Sequence, residues 1–328
     1  MADKARQWTD KHLAEMEEHI CLTYLQAQAE LTAKWNEYMD SGDERVQRLY
    51  QEYLKAEPDK KADALKRYQD ALQAFTLRNQ WFKNMVNETT YRIAHVNEIA
   101  VAYVNGEIPR VYAENFNQID PEAQMLRKNW ALRDEHMVRN MLMDTLPTAD
   151  FDQAKDMLWN NRQINSSVLQ GVLQGESIDK MSKRLLPILH NNEVSARRMA
   201  RTTVTRAENR GRLDRYKEYE GEGIVMSKVW IATPDSRVRD WHLSMDGQEK
   251  DIDKPFIDGR GNELGYPGDT SYGAPGITIW NCRCSMRSHI IGFRLPNGKI
   301  DYMSNYSHSD SLHASQIESE RERRDMDG

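Results

Sequence analysis

Apolar residues recur at helical spacing through roughly the first third of the chain. Trp8, Leu13, Met16, Ile20, Tyr24, Ala27, Leu31, Trp35 and Met39 follow one another at three-, four- and five-residue steps, which predicts one long helix with a single apolar stripe. Ser41-Gly42-Asp43 is expected to stop it and cap the next. A second run through Val46, Leu49, Tyr50, Tyr53 and Leu54 breaks around Pro58. A third starts near Lys61, carries Leu65, Tyr68, Leu72, Phe75, Trp81, Phe82, Met85 and Val86, and extends toward Val104, where Asn105-Gly106 and Pro109 are expected to end it. The stripes suit an extended hairpin of long helices that packs against partners.

From 107 to 190 the predicted helices are shorter. Pro121 starts one that runs through Met125, Leu126, Trp130 and Leu132; Met137, Met141, Leu142 and Leu146 follow, and Pro147 stops the run. Phe151 to Leu173 reads as a helix ending at Gly175, and Ser177 as the cap of Ile178 to Leu186, which Pro187 interrupts. Asn192 is the expected cap of a last long helix, Glu193 to Glu220. In it Thr203, Ala207 and Gly211 form a ridge of small residues four apart. Glycine costs ~1 kcal/mol relative to alanine in a helix, so Gly211 implies the close approach of another backbone.

After Gly221-Glu222-Gly223 the pattern turns to strand, with Val225, Val229, Trp230 and Ile231 inside Ile224–Ile231. Asp246-Gly247 is a hairpin-turn dipeptide, turn residues dominate from Pro255 to Gly276, and Ile277–Trp280 and Met286–Phe293 read as two more strands. The expected fold is α+β: long extended N-terminal helices and a helical middle, then a small turn-rich β-containing C-terminal module and a polar tail. The divisions fall at 1–106, 107–190, 191–293 and 294–328.

Composition narrows the function classes. A chain of 328 residues with 29% charged positions and a mean hydropathy of −0.81 suits solvent-washed helices. The net charge of −6 speaks against the whole chain coating nucleic acid. No apolar run approaches the ~20 residues that cross a bilayer, so no membrane partner is expected. No signal-peptide core follows Met1-Ala2-Asp3-Lys4-Ala5-Arg6, and synthesis in a reducing cytoplasm is expected. Three cysteines make no disulfide framework.

Two of those cysteines, Cys282 and Cys284, stand one residue apart, and with His242 they offer the thiolate and imidazole ligands that zinc prefers. A fourth ligand would come from Asp246, His289 or water. The alternative reading is a strand or turn whose thiols pack inward while Arg283 pairs with an acid. His242 among Asp235, Asp240 and Asp246 is open to reading as a general-base site, or as a solvated loop with Asx turns and an Arg237 bridge. Arg197, Arg198, Arg201, Arg206, Arg210, Arg212, Arg215 and Lys217 make the most basic stretch. That stretch suits DNA phosphates, an acidic protein surface or solvent. Glu218-Tyr219-Glu220 has the E-x-E form found in ADP-ribosyltransferases, but the arginine-bearing and S-T-S-like strands of that chemistry are not evident, so it reads as an exposed helix end. No phosphate-binding glycine loop and no H-E-x-x-H occurs.

Read together, these motifs resemble the phage Mu F-like head-morphogenesis (minor head protein) family. Leu169–Asp179 is similar to its helix, glycine and helix-restart entry, and Ala200–Gly211 to its "A-R-T-E…R-A-x-N-x-G" helix. Trp230–Arg237, with Asp235 and Arg237, is followed by Asp246-Gly247, Pro255-Phe256, Tyr266-Pro267-Gly268-Asp269 and Asn281-Cys282-Arg283-Cys284 in the family's order. The likeness covers Leu169 to Ile291. Some members carry two further cysteines that with C-R-C suggest a metal knot; here Arg239 and His242 take those positions, leaving at most three matched ligands. Thr203 stands where members commonly have glutamate. The resemblance implies a non-enzymatic minor head protein inside the virion at the portal vertex, in several copies. The portal is its implied partner, along with the major capsid or scaffolding protein and packaged DNA. No cofactor is expected, structural zinc at His242, Cys282 and Cys284 being the one candidate. Trp230, Asp235, Arg237, His242, Asp246, Gly247, Asn281 and the C-R-C residues would hold the module's turns.

Overall fold

The computed structural model describes residues 3–40, 44–78, 80–118, 131–174, 176 and 178–302. The expected stop at Ser41-Gly42-Asp43, the helix from Pro121 to Trp130, the Gly175 terminus, the Ser177 cap and the tail beyond Tyr302 lie outside the described residues. The chain is α+β and divides into two compact units, one formed by 1–16, 103–149 and 198–328, the other by 17–102 and 150–197. The unit boundaries do not follow the linear divisions read from the sequence, and those at 16/17, 102/103 and 197/198 fall inside helices.

The helices are α1 (Lys4–Asp40), α2 (Glu44–Lys55), α3 (Lys61–Arg78), α4 (Gln80–Asn117), α5 (Glu135–Leu142), α6 (Gln153–Leu173), α7 (Ile178–Lys183) and α8 (Leu186–Gly221). In the helical unit the apolar stripe is core: Leu31 and Trp35 of α1 pack with Tyr68 and Leu72 of α3, Val86 and Ile93 of α4, and Ile164 and Val168 of α6. Tyr24 donates to Asn97 Oδ1 at 2.5 Å, Asn97 donates to Asn192 Oδ1 at 3.0 Å, and Asn192 donates to Asn160 Oδ1 at 2.9 Å. A buried amide chain of this kind is tolerated because its members satisfy one another.

Two prolines and one asparagine depart from expectation. Helix α4 runs through Pro109 to Asn117, because Ile108, Val111, Tyr112 and Phe116 are all buried and packing outweighs the lost backbone bond. Nearby, Asn105 exchanges two hydrogen bonds with the Ala149 backbone, and Arg139 donates to Gly106 O at 3.0 Å. Pro187 sits in the first turn of α8 rather than ending a helix, a position where a missing N–H costs nothing. Asn192 is no cap; it lies inside α8 in the amide chain.

The other unit carries the sheet. Strands β1 (Ile224–Ile231), β2 (Glu249–Asp251), β3 (Phe256–Ile257), β4 (Glu263–Leu264), β5 (Ser285–Arg294) and β6 (Ile300–Tyr302) form an antiparallel sheet of order β2-β1-β5-β6 and a β3-β4 ribbon. Its core joins Met226, Trp230, Phe256, Met286 and Ile290 to Leu213, Tyr216 and Tyr219 of α8. Two short helices, α9 (Asp240–Leu243) and α10 (Gly276–Ile279), interrupt the loops. Helix α10 replaces the strand expected at Ile277–Trp280: Thr278 and Ile279 are buried while Ile277 and Trp280 are exposed, a pairing that strand alternation cannot give. The ridge on α8 closes as expected, since a Cβ on Gly211 would lie 2.5 Å from Tyr112 O.

Candidate functional site

One face of α8 grips the C-x-C turn. Thr205 Oγ1 donates to Cys282 O at 2.8 Å and Asn209 Nδ2 to Cys284 O at 3.3 Å, four residues apart and so on the same helix face. Arg6 of α1 reaches the carbonyl between them, Arg283 O, at 2.6 Å. One turn earlier, Asn281 N donates to Thr202 Oγ1 at 2.9 Å and Arg201 donates to Asn281 Oδ1 at 2.8 Å. Asn281 has a φ of 58°, the left-handed region that asparagine tolerates better than most residues.

Strand-like alternation then sorts the side chains. Arg283 points to Asp235 in a two-pronged ion pair, while both thiols point at His242. Its Nδ1 lies 3.6 Å from Cys282 Sγ and 3.6 Å from Cys284 Sγ. The three residues are 1–2% exposed. Short helix α9 presents the imidazole, Trp230 packs edge-on against it at 5.6 Å, and Arg239 donates to Trp280 O. Asp246 Oδ1 accepts Ala232 N at 2.8 Å and Gly247 returns the chain to Trp230 O with a φ of 72°, so this dipeptide closes a long loop rather than a two-residue hairpin. The Cys282 thiol is pulled down, first by a hydrogen bond from Cys284, and the Cys284 thiol is pushed up by the same contact and by burial.

Do these residues fit a zinc ion? The two soft sulfurs and one ring nitrogen lie within 4.8 Å of one another. Metal distances of ~2.3 Å to sulfur and ~2.0 Å to nitrogen put tetrahedral S and N ligands ~3.6 Å apart, the separation found here. They fit. Neither suggested protein fourth ligand joins them: Asp246 is bonded to Ala232 N, and His289 Nδ1 contacts Glu249 at 2.5 Å. Nor do the acids around His242 converge as a general-base site, since Asp235 belongs to Arg283 and Arg237 and Asp240 is exposed.

The basic stretch is largely spent inside the chain. Arg212 is buried against Glu208 and Asp3, and Arg215 is fully buried, donating to Phe116 O and Ala131 O. A surface role for these two is therefore excluded, because their charges are consumed within the unit that folds them. Arg197 pairs with Glu17 and Glu193, Arg201 with Asn281, Arg206 with Thr270 and Arg210 with Asp214. Arg198 is exposed. The Glu218-Tyr219-Glu220 triplet ends a helix, with Glu218 held by Arg133 and Arg215 and Tyr219 buried.

Sequence reasoning missed the grip itself. Thr205, Glu208 and Asn209 were legible as members of the motif helix 200–211, but not as partners of the C-x-C turn, although Thr205 and Asn209 carry the i, i+4 signal. Arg6 was legible only as a polar residue near the start of α1. It also missed Lys228, which shares the strand face of Met226 and Trp230 and is 1% exposed. Its Nζ donates to Ile252 O at 3.0 Å and Gly265 O at 2.7 Å over the Phe256 ring.

Comparison with a family model falls on the same segment of chain. Residues 162–287 match the family described as Phage Mu protein F like protein. The chain is 28% identical over 153 residues to Minor head protein GP7 of Bacillus phage SPP1, a stretch that is 47% of each chain. It is 27% identical over 124 residues to NAD(+)--arginine ADP-ribosyltransferase EFV of Enterococcus faecalis (strain ATCC 700802 / V583), covering 38% of this chain and 25% of that one. The chain thus spans half or less of the curated relatives it matches. No solved structure gives a significant match. Residues 162–287, which hold both the gripping helix and the C-x-C turn, are thus the part of the chain that is similar to the Phage Mu protein F like family.

Proposed function

We propose that this chain is a non-enzymatic minor head protein that sits inside the capsid on the portal protein, in several copies, and assists head assembly and the packaging and ejection of DNA. The observation that carries the reading is the family match over 162–287, joined to what its matched residues do. Arg201, Thr202, Thr205 and Asn209 of the helix motif hold the backbone of the C-x-C turn, so the motifs account for a rigid module. Docking draws on side chains that folding leaves outside, since Met16, Ile20, Tyr24, Leu31 and Trp35 of the α1 stripe are buried. Leu22 and Leu25 of α1, Tyr91 of α4 and Leu158 of α6 are 51–65% exposed, and large exposed apolar side chains favour protein contacts.

A hydrolase or transferase centred on His242, Cys282 and Cys284 is less favoured, because a substrate would have to reach groups that are 1–2% exposed. A DNA-binding role for Arg201, Arg206 and Arg210 is weakened by their internal partners. The deciding experiment is co-purification with the portal ring of the same phage, by size exclusion with light scattering at low and high salt. The expected result is a complex that survives high salt, as apolar contacts do. No association at any salt concentration overturns the reading.

A further inference from the structure

We propose that His242, Cys282 and Cys284 form a closed site for one thiophilic metal ion of the zinc type, which staples the loop after β1 to the C-x-C turn. The inference is independent of the portal reading, since it rests on side-chain geometry alone. Three features carry it. Both sulfurs lie 3.6 Å from the same ring nitrogen, Nδ1, as ligands around a shared ion do. Their direction is over-determined: the carbonyls of 282, 283 and 284 are held by Thr205, Arg6 and Asn209, which fixes both Cβ atoms before any ion arrives. And the imidazole is itself held in place: His242 is 1% exposed and Trp230 packs edge-on against it at 5.6 Å.

The chemistry balances without a redox partner. Binding exchanges two thiol protons for one divalent cation, leaving a neutral bis-thiolate centre and releasing two protons to solvent, so affinity rises with pH. The described residues supply three donors, which leaves the fourth position of a tetrahedral ion to water or to a donor outside them. Burial of all three side chains makes the ion a structural staple, because a substrate has no path to it. Its effect is to tie 233–247, through His242, to a turn that α8 already holds.

The test uses the full chain, purified under reducing conditions without a metal-affinity step. Elemental analysis is expected to find about one zinc per chain, and replacement by cobalt(II) is expected to give a thiolate charge-transfer band that saturates at one equivalent. Chelation is expected to lower the melting temperature and open two thiols to a thiol reagent. H242A and the double variant C282S/C284S are expected to weaken cobalt binding by more than about 100-fold, beyond the loss of an outer-shell partner, while C21S leaves it unchanged. Should the site variants fail to fold, the wild-type cobalt titration decides by itself. A folded, reduced wild-type chain with neither bound metal nor a saturable cobalt band overturns the proposal, as does stoichiometric metal persisting in folded C282S/C284S.

Discussion

Arg6 and Glu208 meet at 3.3 Å although 202 positions separate them in the chain. On its other side Glu208 faces Arg212, also at 3.3 Å, and Arg212 reaches Asp3 at 2.6 Å. The N-terminal turn of α1 is thereby fastened to α8 beside the residues that hold the C-x-C turn. Removing one partner from a buried ion pair leaves an uncompensated charge. E208Q is therefore expected to lose about 3 kcal/mol of stability, measured as a lower urea midpoint. A midpoint equal to wild type would mean that Arg6 and Arg212 do not depend on this carboxylate.

Two helical glycines should respond to alanine with opposite signs. A Cβ at Gly211 would stand 2.5 Å from Tyr112 O, which is backbone and cannot rotate away. Overpacking outweighs the helix-propensity gain, and G211A is expected to destabilise by about 1–3 kcal/mol. At Gly106 a Cβ meets nothing within 4 Å, so G106A is expected to stabilise by about 0.5–1 kcal/mol. Thermal melts of the two variants side by side check the pair.

Burial pulls the Lys228 ammonium down to about 8 from an ordinary 10.5, with Asp269 opposing. Between those values the unfolded chain holds a proton that the folded chain has released. Stability contributed at this site therefore rises with pH across that window, by up to about 3 kcal/mol. In K228M that slope should vanish, as read from denaturant midpoints at roughly pH 7 to 10. An unchanged slope would place the titration elsewhere.

The Arg283 guanidinium holds the Asp235 carboxyl below the usual carboxylate range through their hydrogen bonds. This pairing stabilises the fold above the unfolded value of 3.8 and is lost as pH falls through the lowered one. Both side chains are 22–27% exposed, so solvent screens the pair. D235N is expected to cost only about 1 kcal/mol at neutral pH, with a smaller difference from wild type under strong acid. A loss several times larger would show that the pair acts as part of the buried cluster.

Local patterning made the helices and the two long strands readable, since stripes of three and four and the run Ile224–Ile231 report burial directly. Where long-range packing decides, the same letters mislead. Pro109 and Asn192 have breaker and capping chemistry, yet α4 continues because Ile108 and Phe116 are buried, and Asn192 is taken up by Asn97 and Asn160. The C-x-C pair and His242 were legible as a ligand set by residue type. Their mutual distance was not, because it depends on Thr205 and Asn209 reaching across 75–77 positions. The arginine run showed charge but not its pairing: Glu208 and Asp214 lie within it, while Asp3, Glu17, Glu193 and Glu218 come from outside it.

The grip of α8 on the C-x-C turn divides the evolutionary burden unevenly. Every acceptor at 282, 283 and 284 is a main-chain carbonyl, which any amino acid provides, whereas the donors are the particular side chains of Thr205, Asn209 and Arg6. Mutational drift on the turn is therefore limited only by what its thiols and Arg283 do, while drift on the helix is limited by reach and donor geometry. A new turn grafted onto this helix would still be caught, but a new helix offered to this turn would have to bring its own hooks.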